Sequence, residues 1–427
     1  MQEVKILKKG MIISVMLLGV LVTGVFGASV VSEFPICTQG SLQEGPAIYG
    51  NIVVWEDYRN GNWDIYGYDL PTSTEFPICT QGSDQRYPTI YGDVVVWCDY
   101  RNGNFDIYGY DLSTSTEFPI CTQGSDQMFP AIYGNVVVWS DYRNGNWDIY
   151  GYDLSTSTEF PICTVGSTQE WPAIYGDVVV WDDYRNGNWD IYGYDLSTST
   201  EFPICTQGSN QWWSAIYGNV VVWTDLRNGN FDIYGYDLST STEFPICTVG
   251  STDWPEIYGD VVVWDDYRNG NCDIYGYDLS TSTEFPICTQ GSNQWWSAIY
   301  CNVVVWTDYR NGNGDIYGAT LDTNFCIVGP GPSPTLRNPD TNKPIKPLAA
   351  YRISQVQSLL EEVQKTCDKL KDENDPLYST CCVNRLDKVI EYLEMAEKFY
   401  MGGNYIAANY WAIKALELLQ EIQECCT

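Results

Sequence analysis

A block of about 42 residues recurs seven times along this chain, and no other feature narrows its fold as far. The Asp of "DIYG" falls at 64, 106, 148, 190, 232, 273 and 315, a spacing of 42 that slips once to 41. The pentapeptide "EFPIC" begins at 33, 75, 117, 159, 201, 243 and 284, with the same slip. The missing residue lies in "STDWPEIYG", where another copy carries the longer "STQEWPAIYG". Each copy holds four short segments. "PTIYG" ends in Gly, "DVVVWCDYR" is β-branched and aromatic, "NFDIYGYDL" is rich in Ile and Tyr, and "TEFPICT" follows the polar turn "STS". These read as strands A to D. Strand B is almost wholly apolar, as strands buried on both faces are. Nothing in the unit has a 3.6-residue period, which excludes helical repeats. A period of about 40–45 residues with several short strands per unit defines a propeller blade. The chain is therefore expected to form an all-β seven-bladed β-propeller of four-stranded blades over residues 33–327.

Strands A, B and C occur seven times, and a D-type strand also precedes the first A. The natural closure has Glu33–Thr38 supplying the outer strand of blade 7. A degraded copy, "NFCIVG" from Asn324, competes for that place. Residues 33–329 resemble the TolB-like β-propeller repeats, in which an Asp or Ser, an Arg-Asx-Gly turn and "D-I-Y-x-x-D-L" recur in each blade. The resemblance covers about seventy per cent of the chain and rests on seven copies. It extends to the repeat-rich surface propellers of archaea, whose copies are similarly near-identical. The Trp-Asp and Gly-His signatures of WD-repeat propellers are absent. So is the separate N-terminal α/β domain of TolB, so the resemblance does not carry TolB's transport role with it.

The ends of the chain read differently. Lys5, Lys8 and Lys9 precede an apolar run from Met11 to Phe26, followed by the small residues Gly27, Ala28 and Ser29. This is an export-signal pattern, assigned to residues 1–28. The apolar stretch to Val31 is also long enough for an uncleaved anchor, and "VFGAS" favours cleavage. Secretion or cell-surface display follows. Residues 328–347 form a Pro-rich spacer, and residues 348–427 are expected to be a small all-α three-helix bundle. Its apolar series are Ile353, Val356, Leu360, Val363, Cys367 and Leu370, then Val383, Leu386, Ile390 and Leu393, then Ile406, Tyr410, Ile413 and Leu416. In an up-down-up bundle Cys367, Cys381, Cys382, Cys425 and Cys426 meet at one pole and are disulfide candidates in an oxidising compartment. Oligomerisation through the bundle is compatible with this arrangement.

Composition removes several function classes. The net charge of −33 argues against nucleic acid and acidic membranes. There is no histidine, so Ser-His-Asp, Cys-His and histidine-zinc chemistry are excluded. The carboxylates of the repeat occur seven times over, whereas catalytic centres break symmetry, and the singular acids Glu44, Glu170 and Glu256 have no partner evident in sequence. A non-enzyme is expected, and no cofactor is assigned.

The stretch "DYRNGNWDIYGYDL" from Asp57 could be a site or a turn. With Asn60-Gly61 as a tight hairpin turn, Asp57 faces Asp64 and Tyr58 faces Trp63. Facing carboxylates repel, and Arg59 on the same face is the simplest cation to sit between them. A calcium ion at Asp57, Asn62 and Asp64 is the competing reading, disfavoured because a two-strand hairpin offers too few oxygens.

In an alternating sheet the D–A and B–C loops share one face of the disc. There the segment before strand A varies while the rest is copied: "QEGP", "QRYP", "QMFP", "QEWP", "QWWS", "DWP" and "QWWS". Its aromatics Tyr87, Phe129, Trp171, Trp212, Trp213, Trp254, Trp295 and Trp296 are the candidate ligand-binding residues. Plugging the central channel is the alternative for the same rings. Trp55, Trp97, Trp139, Trp181, Trp223, Trp264 and Trp306 on strand B are core. Cys37, Cys79, Cys121, Cys163, Cys205, Cys247 and Cys288 end the D strands, too far apart to bridge, and read as small buried apolar residues. Cys98, Cys272 and Cys301 receive no role. The expected function is an exported binding or adhesion module for a glycan or protein of the cell envelope or exterior. A structural surface coat and a propeller glycosidase or lyase are the alternatives.

Overall fold

The computed structural model describes residues 28–322, a helix at 385–401 and isolated positions between 356 and 422. The chain divides between Pro330 and Gly331 into two units. The first is a seven-bladed β-propeller. In blade 1, strands A to D are Gln43–Tyr49, Ile52–Asp57, Asp64–Asp69 and Thr74–Cys79. Each of the seven sheets has four antiparallel strands in this order. In blade 7 the fourth strand is Val30–Cys37 from the other end of the propeller, paired with Asp315–Leu321 so that Phe34 lies opposite Gly318. The N-terminal strand closes the ring, as the repeat spacing predicts. "NFCIVG" lies outside the described residues.

Between blades, each B strand is enclosed on both faces. Val53, Val54, Trp55 and Ile65 are wholly buried, and so are their equivalents round the ring. The Gly of "DIYG" has a packing reason: a Cβ on Gly67 would come within 2.6 Å of the Phe76 ring lying across it. Strand A differs from expectation. It starts at Gln43, so the variable segment is the first half of the innermost strand and not a loop before it. A bulge between Glu44 and Ala47 makes room for the extra residue. Proline in this segment costs no ladder bond on the inner edge and blunts that edge against further pairing.

One arginine per blade fastens neighbours together. Arg59 donates to Asp57 through Nε (2.9 Å) and Nη2 (2.5 Å), and to Glu75 on strand D through Nη1. It reaches Cys37 Sγ of the preceding D strand at 3.5 Å and lies over the Tyr66 ring at 4.0 Å. Trp55 Nε1 supplies a further donor to the wholly buried Asp57. The same ion pairs recur at Arg101, Arg143, Arg185, Arg227, Arg268 and Arg310, and Arg310 pairs with Glu33 on the closing strand. The D-strand cysteines are more than small apolar fillers. Cys37 donates to Glu75 of the next blade at 3.3 Å, and burial pushes its thiol up to about 12. All seven are free.

The described part of the second unit holds one helix, α1 (Arg385–Met401). Among its described side chains Val389 and Ala396 are buried and Ile390 is 40% exposed, which departs from the series expected through Ile390. Val356, Val363 and Cys367 are buried, as their spacing predicts. Leu360, Leu386 and Leu393 are half-buried, whereas Ile353, Leu370, Val383, Ile406, Tyr410, Ile413, Leu416, Cys381, Cys382, Cys425, Cys426 and the spacer lie outside the described residues, as do residues 1–27. Ala28, the last residue of the expected signal, belongs to the propeller: it is buried, and its N–H donates to Asp278 at 3.3 Å. No described helix is long and apolar enough to cross a membrane.

Removing one partner of a buried charge pair costs about 3–5 kcal/mol. Arg143→Met removes the guanidinium that lies over Tyr150 and leaves the buried Asp141 with only the Trp139 indole and the backbone N–H of residue 143 as donors. It is expected to lower the unfolding free energy by about 3 kcal/mol in denaturant titration, and an unchanged midpoint would remove the arginine from its fastening role.

Candidate ligand-binding face

The hairpin of the repeat is structural. Asp57 does face Asp64 in the strand register, but Arg59 turns to Asp57 and Glu75 and does not bridge the two carboxylates. Asp64 is satisfied by Asn60 Nδ2 at 2.6 Å and Asn62 Nδ2 at 2.8 Å. The turn spans Tyr58–Gly61, with Gly61 N–H donating to the Tyr58 carbonyl and Gly61 in the left-handed region at φ +90°. Tyr58 and Trp63 pair across it at 5.2 Å. Calcium does not fit this donor set, because each oxygen of both carboxylates already accepts an N–H bond and the ion needs six to eight free oxygens. Among the described residues no group of three or more His, Cys, Asp or Glu could hold a metal.

The hairpin instead anchors the neighbouring loop. Asn62 Nδ2 donates to the Gln81 and Ser83 carbonyls, and Trp63 N–H donates to Asp84. The B–C and D–A loops therefore share a face, as expected. The Trp63 carbonyl then accepts from Gln85 at the start of the next strand A.

Each variable segment contributes two positions to the mouth of the channel. The second of the pair is Gly45, Tyr87, Phe129, Trp171, Trp213, Trp254 and Trp296 in blades 1 to 7, each in the left-handed region at φ +53 to +57°. A residue ending strand B of the preceding blade holds several of these N–H groups. Glu56 accepts from Tyr87, Ser140 from Trp171, Asp182 from Trp213, Asp265 from Trp296 and Thr307 from Gly45. These short polar anchors hold the strained conformation in place and aim the rings inward.

The rings meet across the axis. Phe129 stacks on Trp171 at 3.5 Å and Trp213 on Trp254 at 4.9 Å, while Trp171 meets Trp254 edge-on at 5.1 Å and Tyr87 meets Phe129 at 5.0 Å. Five rings from blades 2 to 6 thus form one plug. Trp296 stands apart, touching only Trp295 at 6.0 Å among the described rings, and blade 1 offers no ring because the position is Gly45. A sector is left open over blades 7 and 1. The other two candidates occupy the first position of the pair and pack outward, Trp212 against Phe231 at 5.9 Å and Trp295 against Tyr309 at 5.2 Å.

At the opposite end the channel has a floor. Tyr49, Tyr91, Tyr133, Tyr175, Tyr217, Tyr258 and Tyr300 form a closed circle with ring centroids 4.6–4.8 Å apart. Their hydroxyls bond one another, and burial raises the phenols of Tyr49, Tyr133, Tyr217 and Tyr258.

Acid pairs that sequence reasoning missed lie at the mouth. Glu44 faces Glu56, Glu170 faces Asp182, and Asp253 faces Asp265 across strands A and B. The partners are about twelve residues apart, so only the A–B register reveals them. Arg86 pairs with Glu56 at 2.5 Å, and Tyr309 donates to Glu44 at 2.6 Å. Burial pushes Glu56 up to about 7 against the pull of Arg86 and the Tyr87 N–H. Asp182 and Asp265 are raised well above the usual carboxylate range by burial, with Glu170 and Asp253 adding to it. Burial and then Asp266 push Asp253 up to about 6. Glu256, two residues along strand A from Trp254, is pushed up to about 7 by burial alone.

No protein-family model matches the chain. No curated protein matches it either. Among solved structures it is similar to an oligogalacturonate lyase from Vibrio parahaemolyticus, 11% identical over 69% of this chain and 98% of that one, with a TM-score of 0.54. It is likewise similar to the β-propeller domain of the trilobed protease from Pyrococcus furiosus, 13% identical over 66% of this chain and 96% of that one, also at 0.54. TolB from Acinetobacter baumannii is 14% identical over 63% of this chain and 79% of that one, with a TM-score of 0.41. At these identities the likeness establishes the fold, a β-propeller, which is the fold that the TolB-like repeat resemblance implies. The Pyrococcus propeller has an open velcro topology. Here a strand from the opposite end of the propeller completes blade 7.

Raised carboxyls set the sign of the pH dependence. Glu56, Asp253 and Glu256 keep their protons to higher pH in the folded chain than in the unfolded one. The stability they contribute is full below about pH 4 and is lost as pH rises through the 6–7 range. Asp153, Asp195 and Asp237, lowered first by the hydroxyls of Ser155, Ser197 and Ser239, act the opposite way as pH falls below about 4. Calorimetric unfolding midpoints should peak near about pH 4–5 and fall toward pH 8, with a shallower fall in Glu256→Gln. A midpoint that climbs from pH 5 to pH 8 would contradict these assignments.

Proposed function

We propose that this chain is an exported cell-surface binding module whose ligand, a protein or a glycan, docks on the D–A and B–C loop face over the open sector. The observation that carries this reading is the placement of variation. Strands B, C and D are nearly copied from blade to blade, whereas the two positions at the channel mouth change in almost every blade. Sequence that is free to vary at one rim of a uniform scaffold supports recognition there. The missing ring at Gly45 and the unstacked Trp296 give that rim one opening.

A lyase or glycosidase is favoured by one observation, the three facing acid pairs. Glu56, Asp182 and Asp265 are nevertheless committed to backbone N–H groups of the next blade, which supports a scaffold role for them over an acid–base role. The binding reading therefore stands first.

Gly45→Tyr tests the opening directly. Six other blades carry an aromatic ring at this position with the same positive φ, and a Cβ at Gly45 approaches nothing closer than Glu56 at 3.7 Å. On glycan and peptide arrays, Gly45→Tyr should abolish binding and Trp296→Ala should weaken it about tenfold or more. Binding that is indifferent to both replacements overturns the reading.

Export makes a separate prediction. Ala28 belongs to the folded propeller, so removal of the leader is expected after Gly27. That leaves the Ala28 ammonium beside the Asp278 carboxylate, where its N–H already points. Intact-mass measurement of the secreted chain should give a species beginning at Ala28. A mature chain beginning beyond Val30 would lack part of the closing strand and contradict this.

A further inference from the structure

The tyrosine floor does more than end the channel. Strand A finishes in Tyr in every blade, so seven phenols stand at one level around the innermost wall. The Tyr49 hydroxyl is hydrogen-bonded to those of Tyr91 and Tyr300, and Tyr133 to Tyr91 and Tyr175. Tyr217 is joined likewise to Tyr175 and Tyr258, and Tyr258 to Tyr300. Every neighbouring pair is thereby linked, and the hydroxyls form an unbroken circle. Ring centroids 4.6–4.8 Å apart define a heptagon of about 5.4 Å radius, whereas O–H···O bonds of about 2.8 Å close one of only about 3.2 Å. The oxygens therefore point in toward the axis, with the rings fanned out behind them.

A phenolic hydroxyl has a single proton. In a closed circle each donates it to one neighbour and accepts from the other, which leaves a lone pair on every oxygen directed at the axis. Seven converging acceptors suit a cation. An anion would need the protons turned inward, at the cost of the whole circle of hydrogen bonds. Burial raises the phenols of Tyr49, Tyr133, Tyr217 and Tyr258, so they stay neutral at physiological pH. Width and charge then select the ion. Magnesium and calcium hold oxygens at about 2.0–2.6 Å, well inside a circle of this size. Neutral oxygens also fail to offset the hydration that a divalent ion gives up. A large monovalent ion gives up less, and rings of neutral carbonyl oxygens replace its hydration shell in potassium channels. The net charge of −33 raises the local supply of cations.

We propose that the tyrosine circle is a binding site for one large monovalent cation of the potassium class, held on the axis by phenolic oxygens of all seven blades. The site lies at the opposite end of the channel from the proposed ligand face and does not rest on that reading. An ion shared this way ties the inner strands of the blades together, as the arginines fasten the D strands.

The test is thermal unfolding of the full chain in lithium, sodium, potassium, rubidium, caesium and calcium chlorides at equal ionic strength. Tetramethylammonium, too bulky for the circle, is the reference. Potassium, rubidium or caesium should raise the midpoint saturably, by about 5 °C at roughly a hundredfold excess over its Kd. Tyr133→Phe and Tyr175→Phe, singly and together, keep every ring but remove oxygens and open the circle. They should weaken the ion's apparent affinity at least about tenfold, and the midpoint in tetramethylammonium separates off any purely structural loss. Blade 6 is left unaltered because Cys301 Sγ lies 3.7 Å from the Tyr258 hydroxyl. Crystals soaked in caesium chloride should show an anomalous peak on the axis at the level of the hydroxyls, a result that needs no variant to fold. Equal midpoints in all the chlorides would overturn the proposal, as would lithium or calcium stabilising as strongly as potassium. An ion preference unchanged in the variants, or caesium found only against carboxylates elsewhere as an adventitious ion only, would overturn it too.

Discussion

Everything in this ring depends on the burial of one aspartate per blade. Asp57 and its equivalents sit at zero exposure where strand B reaches the loop face, and a bare carboxylate there would oppose folding. The arginine two residues later solves the problem and joins three strands in doing so. Its guanidinium takes the aspartate of its own blade, the glutamate of strand D and the thiol of the preceding blade, and it lies on a tyrosine. A planar fork with several fixed donors can do this, whereas a lysine cannot. With the hairpins pinned, the carbonyl after each asparagine is fixed, and the next inner strand starts from it. The mouth of the channel inherits its geometry from that chain of contacts.

Much of this was readable from letters alone. The repeat spacing defines the blade, the surplus "EFPIC" defines the closure, and the strand B tryptophans are core as expected. What failed was local and had physical causes. Strand A begins earlier than the "PTIYG" pattern indicates because a bulge with a left-handed aromatic interrupts the alternation on which strand recognition depends. Arg59 was expected between Asp57 and Asp64, yet a glutamate sixteen residues away draws it outward and two asparagine amides fill in. The acids at the mouth looked solitary because their partners lie across the A–B turn.

The face that varies is also the face under strain. Non-glycine residues rarely adopt positive φ, and here six aromatic residues do so at equivalent places. Several are held by a side chain of the neighbouring blade that accepts the exposed N–H, with Glu, Ser and Asp serving at Tyr87, Trp171 and Trp213. Constant backbone geometry with interchangeable chemistry lets ring size change from blade to blade without disturbing the scaffold. Glycine at blade 1 is the limit of that series.

The closing strand also bears on how such a ring can grow or shrink. Because Val30–Cys37 completes blade 7, the chain reads in the order D, A, B, C, and the sequence unit is out of phase with the structural blade. Insertion or loss of one whole unit therefore leaves both ends of the array complementary to each other. A gene built this way can change its blade number by recombination between near-identical segments and still encode a circle that shuts, with the ring's curvature as the remaining constraint.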